Sequence, residues 1–180
     1  AVVGAFLGLS RERSDSRRYP SIDPHISWSK YLHAVGVILS EMMPEWPSTV
    51  KKCSHILREG DEIRKRMEVV GEEGIAMKDL ITYLKAELYD FSYLQQNAFD
   101  KEDCYCPLPR QIALMEIIKD IIDSEFSFGN HDEARAFFLT LQNKVKNINF
   151  TAFNSPHYHE LTQEVQEMLK AHTDQPKVAI

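Results

Sequence analysis

Residues 46–94 read WPSTVKKCSHILREGDEIRKRMEVVGEEGIAMKDLITYLKAELYDFSYL, two apolar stripes on either side of a glycine-flanked break. Val50, Cys53, Ile56, Leu57, Ile63, Met67 and Val70 recur at helical spacing, mostly three or four apart, which lays them along one face of a helix. Ser48 stands where a cap belongs. Gly71 to Gly74 interrupts the stripe, and Leu80, Ile81, Leu84, Leu88 and Phe91 resume it. Two amphipathic helices joined by a short glycine-flanked turn make an αα-hairpin, and each needs the other to cover its apolar face.

The pattern outside the hairpin is also helical. Trp28, Tyr31, Leu32, Val35, Ile38, Leu39 and Met42 mark a helix before it, with Ser27 as candidate cap and Pro44 as stop. Ile112, Met115, Ile118, Ile122 and Phe126 mark one after it, and Ala134, Phe137, Phe138, Leu141, Val145 and Ile148 the next. Ser155-Pro156 opens a last helix with Tyr158, Leu161, Val165, Met168 and Leu169 inside, proline being suited to the first helical position. Residues Val2 to Leu7 read as one short strand, residues 10–18 as a charged stretch without apolar period, and residues 95–109 as an aperiodic loop. The expected fold is an all-α bundle of about six helices with a long αα-hairpin, plus one orphan N-terminal strand. A lone strand cannot satisfy its own backbone groups, so its sheet is expected to lie outside this chain.

The bulk properties narrow the function. The 180 residues suit one domain with a single core, and 43% hydrophobic against 27% charged residues reads as an ordinary soluble protein. A formal charge of −6 argues against nucleic acid as partner. No run approaches the roughly 20 apolar residues of a membrane-spanning helix. Three cysteines, Cys53, Cys104 and Cys106, make no disulfide framework and suit a reducing compartment. A zinc site from Cys104, Cys106, His157 and His159 fits poorly, because structural sites favour two to four residues between cysteines and here there is one. The chain has no GxxxxGK[ST] phosphate loop, no GxGxxG and no HExxH.

Two loops carry a resemblance. The first is Arg17-Arg18-Tyr19-Pro20-Ser21-Ile22-Asp23-Pro24, followed by Ser27, Trp28 and Ser29. The second is Leu94-Gln95-Gln96-Asn97-Ala98-Phe99-Asp100, followed by Asp103, Tyr105, Cys106 and Pro107. With the Trp46-Pro47 and Val69-Val70-Gly71 landmarks, roughly Gly4 to Lys170 resembles the C-terminal portion of the catalytic A subunit of V/A-type rotary ATPases, which are ATP synthases and ion pumps. The alternative from residues alone is a free-standing helical protein-interaction module.

The resemblance implies residues 1–24 as the end of a nucleotide-binding domain and 25–180 as a C-terminal helical domain. The catalytic glutamate, phosphate loop and magnesium ligands of such a subunit lie in the preceding domain, so no catalytic or metal residue is expected here. The fragment alone is expected to be inactive and to hold no cofactor, while the full subunit uses ATP or ADP with magnesium. What carries over to this chain is the adenine pocket: Tyr19 and Phe99, with Gln96 and Ala98 on the same wall. Two aromatic faces can hold a purine by stacking while charge is supplied elsewhere. Glu72, Glu73 and Asp79, at the hairpin turn, are the implied contact with the central stalk. The turn GEEGIAMKDL lacks the proline and the basic residue typical of related A subunits. Implied partners are the B subunit of the A/B hexamer and the central stalk, in a cytoplasmic, peripheral complex that couples ATP synthesis or hydrolysis to proton or sodium transport.

Overall fold

The computed structural model describes residues 3–173. Its centre is the hairpin. Helix α3, Trp46–Val70, runs 25 residues, about 37 Å at 1.5 Å per residue. It ends at Gly71, whose φ of 77° lies in the left-handed region that a side chain resists. A 3-10 turn, Glu72–Gly74, leads into α4, Met77–Tyr89, which returns along α3. The helices approach closely where Gly60 faces Ala86. Asp90–Leu94 prolongs α4 as a π-helical turn, closed by Gln95 N–H donating to the Asp90 carbonyl at 3.0 Å.

Three further helices complete the bundle. α5, Leu108–Asp123, carries prolines at its start, where a missing N–H costs nothing. α6, His131–Asn149, is capped by Asn130, whose side-chain oxygen accepts from Glu133 N–H at 2.8 Å. α7, Pro156–Thr173, begins with Ser155 Oγ accepting from Tyr158 N–H at 3.1 Å. α6 packs on α4 and α7. The shared core is built from Cys53, Ile63, Leu80, Leu84, Leu88, Met115, Ile118, Ile121, Leu141, Val145, Ile148 and Val165. All but Ile121 are positions of the helical stripes, whereas Val70, the last position of the α3 stripe, is exposed.

The N-terminal third departs from expectation. Residues 4–10 fold back antiparallel along residues 21–30. β1, Ala5–Phe6, pairs with β2, Trp28–Ser29, and the Phe6 and Trp28 rings stack at 6.4 Å. Gly8 O accepts from Asp23 N–H, and Gly4 O from Lys30 N–H, both at 2.8 Å. The small strand is therefore present but has a partner within the chain rather than being an orphan; Val2 of the expected strand lies outside the described residues. That pairing draws Trp28 and Ser29 out of the helix expected from Ser27 onward, and α2 spans Leu32–Met42 instead. Ser27 Oγ accepts from Gly8 N–H at 3.1 Å and caps no helix. The charged stretch contains a short helix, α1, Arg11–Asp15, capped by Ser10, which brings the described helices to seven. Ser48 lies inside the first turn of α3, not at its cap, because the helix starts at Trp46 with Pro47 behind it. No described helix is long and apolar enough to cross a membrane.

Candidate functional site

The two resemblance-bearing loops meet at one groove. Tyr19, Phe91, Gln95, Gln96, Asn97, Ala98, Phe99, Asp103, Lys146, Asn149 and Phe150 line an open cavity of about 540 Å³. Tyr19 arrives from the N-terminal ribbon, with Arg17 two residues earlier at a φ of 56° and a cis bond to Pro20 after it. Gln96 N–H donates to the Tyr19 carbonyl at 2.9 Å, so the two loops are joined backbone to backbone. All four expected adenine-pocket residues, Tyr19, Gln96, Ala98 and Phe99, thus share one cavity. Phe99 is 99% exposed and Tyr19 51%. Neither ring is a core plug, which is the structural reading an isolated loop aromatic would first receive.

The second loop owes its shape to carboxylates. Asp103 Oδ2 accepts from Asn97 N–H at 2.6 Å, and Asn97 Oδ1 accepts from Phe99 N–H at 3.0 Å. Asp100 Oδ1 accepts from the N–H groups of Glu102 and Asp103 at 2.9 and 3.0 Å. Side chains thus substitute for the ladder partners a loop lacks. Burial pushes the Asp103 carboxyl above the usual carboxylate range. Buried Arg110 supports the loop from below, donating to the carbonyls of Glu102 and Ile148 at 3.3 Å each and closely to that of Asn149.

The first loop is held by charge. Asp90, 3% exposed at the end of α4, accepts a two-pronged pair from Arg13 at 3.0 and 2.6 Å and a further close contact from Arg18. Arg18 also lies 3.6 Å from Glu87 and places its guanidinium 4.4 Å from the centre of the Phe91 ring. Lys146 lies 5.3 Å from the same ring. No spacing signal marks this cluster: Asp90 looks like a solvated acid on α4, and Arg13 and Arg18 belong to a polar stretch. By periodicity Phe91 is only the last apolar position of its helix.

The hairpin turn is tied to the bundle by ion pairs. Glu72 forks onto Arg135 of α6 through close contacts, and that pairing is the leading cause holding its carboxyl below the ordinary range. Asp79 pairs with Arg66 of α3 at 3.0 Å. Ile75 is buried. Among the described residues Glu73 forms no ion pair, and Val69, Val70, Gly71, Glu73, Gly74 and Ala76 are exposed around the turn. Two of the three acids expected to face a partner are therefore engaged within the chain.

Comparison with known proteins follows the same lines. The family described as the C-terminal domain of V and A type ATP synthase matches residues 37–134. The V-type ATP synthase alpha chain of Protochlamydia amoebophila is 62% identical over 170 residues, covering 94% of this chain and 29% of that protein. The V-type ATP synthase alpha chain of Chlamydia pneumoniae is 58% identical with the same coverage. That of Chlamydia trachomatis serovar D is 55% identical over 171 residues, 95% of this chain and again 29% of the relative. The chain thus spans a little under a third of the length of the curated relatives it matches. A matched region of this extent, lying on the hairpin and the second loop, means that the chain belongs to the family of C-terminal domains of V- and A-type ATP synthases.

Proposed function

We propose that this domain closes the adenine end of the nucleotide site in the catalytic subunit of a V/A-type ATP synthase and carries the hairpin that meets the central stalk. The single observation supporting the first half is the convergence of Tyr19 and Phe99, distant in sequence and exposed on loops, upon one groove. Stacking of a base between or against such faces contributes about 1–3 kcal/mol, so the groove orients ATP or ADP while phosphate and magnesium contacts belong to the rest of the subunit. In isolation the chain therefore neither turns over ATP nor binds it tightly.

The apolar N-terminal surface, on a ribbon that pairs residues 4–10 with 21–30, supports a contact with the rest of a longer subunit. Phe6, Leu7, Leu9, Ile26, Trp28, Tyr31, Leu32, Val35, Val37 and Ile38 are all exposed along β1, β2 and α2, a larger apolar area than a lone domain usually presents. The rest of a longer subunit covers it. Val69, Val70 and Glu73, at the hairpin turn, are the residues placed to touch the stalk, with Glu72 and Asp79 bracing the turn. Partners are the B subunit and stalk of a peripheral complex that moves protons or sodium ions.

The test is substitution in the full-length subunit assembled with its partners. Tyr19→Ala and Phe99→Ala should each raise the KM for ATP by about 5- to 150-fold, the range that losing one stacked face implies. An unchanged KM in both variants would remove the adenine role from this groove.

A further inference from the structure

Tyr19 is fixed on both sides, by the second loop and by charge behind the groove. Its carbonyl accepts from Gln96 N–H at 2.9 Å, which sets its height against the second loop. The residue before it, Arg18, is drawn to buried Asp90 and to Glu87 on the last turn of α4. Arg13 completes the seat on Asp90 with two parallel bonds, the geometry in which guanidinium and carboxylate fix each other's orientation as well as distance. Arg18 also lies 4.4 Å from the centre of Phe91, a ring that forms part of the groove. One guanidinium therefore touches α4, the groove wall and, through the chain, the Tyr19 backbone. In a site this poorly exposed to water, such contacts are stiffer than on an open surface.

We infer that Arg18 and Asp90 are positioning residues for base recognition: the buried carboxylate holds Arg18, and Arg18 holds Tyr19 and Phe91 in register with the loop that bears Phe99. Neither residue touches the nucleotide. This rests on the adenine reading of the groove, and it adds that base affinity depends on an ion pair lying behind it. Glu87 and Arg13 share the load, because two arginines and two carboxylates meet at one point without excess charge.

The test separates base binding from phosphate binding in the full-length subunit assembled with its partners. ATP is the base-bearing probe, and inorganic tripolyphosphate, read as a competitive inhibitor, is the base-free one. Arg18→Gln and Asp90→Asn should each raise the KM for ATP about fivefold, as expected when one stacked face is misplaced rather than deleted. kcat should change by less than about twofold, because an interaction equal in ground and transition states moves KM alone. The inhibition constant of tripolyphosphate should not move. If ATP and tripolyphosphate weaken together, the pair is a general structural element and the inference falls. If Tyr19→Ala raises the KM while Arg18→Gln does not, positioning by Arg18 is overturned and the groove stands. If Tyr19→Ala also leaves the KM unchanged, the adenine reading itself fails. Should Asp90→Asn not assemble, Arg18→Gln, at the partly exposed end of the cluster, decides the question.

Discussion

Gly60→Ala is the sharpest test of how the hairpin is built, because two effects of opposite sign meet at one methyl group. A Cβ at Gly60 would overlap the Ala86 methyl, with the Ala86 and Tyr83 Cα atoms both at 3.9 Å behind it. Carbon atoms settle at about 3.5–4.0 Å, so α3 and α4 must separate by about an ångström. Overpacking of this kind costs about 1–3 kcal/mol. Against it, alanine in a helix interior is favoured over glycine by about 1 kcal/mol. The expected net loss is about 1 kcal/mol, which lowers Tm by roughly 2–4 °C for a chain of this size. Ala86→Gly alone should cost a similar ~1 kcal/mol through helix propensity. The double exchange Gly60→Ala with Ala86→Gly moves the methyl from one helix to the other. Propensity then cancels and the clash disappears, so stability should return to within ~0.5 kcal/mol of the starting protein, a departure from additivity of about 2 kcal/mol. Urea denaturation of the four proteins measures all of this. Strict additivity, or a Gly60→Ala protein stabilised by the full propensity gain, would refute close contact between α3 and α4 at this point.

Two further expectations concern pH. Glu72 has its carboxyl held below its ordinary value of 4.5, chiefly by the hydrogen bond from Arg135. A depressed carboxylate contributes stability above its unfolded pKa and loses it as pH falls through the folded one. Both side chains are about a third exposed, so Glu72→Gln should cost no more than ~1 kcal/mol at pH 7. That difference should close in thermal melts taken below pH 4.5, and a gap that persists in acid would mean the charge is not what counts. Lys85 behaves oppositely: burial lowers its pKa from 10.5 to about 8 while Nζ donates to the carbonyls of Ile122 and Ser124 at 2.7 Å each. The unfolded chain then binds more protons than the folded one between about pH 8 and 10.5, so this residue raises stability as pH climbs through that window, with its penalty fully present below it. Lys85→Met should lack that alkaline increment in Tm, and parallel curves for the two proteins would count against the burial of the ammonium.

Legibility in the sequence followed the number of positions that voted. The α3–α4 hairpin and helices α5 to α7 each carry five or more apolar residues in phase, and the buried core contains most of them. Phe126, counted as part of the α5 stripe, lies beyond the helix and packs instead with Phe128, Phe137 and Phe138. α2 shows where periodicity misleads. Its Val35 and Ile38 are in phase and yet exposed, and only Leu39 of this helix is buried. The start assigned at Ser27 failed because Trp28 and Ser29 satisfy their backbone groups against Ala5 and Phe6, a partner more than twenty residues away that local propensity cannot weigh. At the groove, Tyr19 and Phe99 were found through the resemblance of their loops. Arg13, Arg18 and Asp90 were missed since an ion pair across 77 positions leaves no mark on spacing.

The Asp90 cluster is a poor candidate for a device that merely stabilises the fold. Withdrawing a carboxylate and two guanidinium groups from water costs several kcal/mol per ion, and their attraction returns little more than that. An apolar trio of similar volume would fasten the ribbon to α4 at least as firmly. What an apolar trio would not do is fix direction: leucine side chains slide over one another, whereas a fork of two N–H groups on one carboxylate permits a single orientation. Residues 10–20 reach the bundle through few core side chains, Tyr19 itself being half exposed, so direction cannot come from packing there. The loop across the groove meets the same requirement with Asp100, Asp103 and Arg110, each bonded to backbone rather than to apolar neighbours. Both walls of the groove are thus oriented by charged side chains bonded to backbone or to one another, which leaves the Tyr19 and Phe99 rings exposed and free to meet a flat ligand.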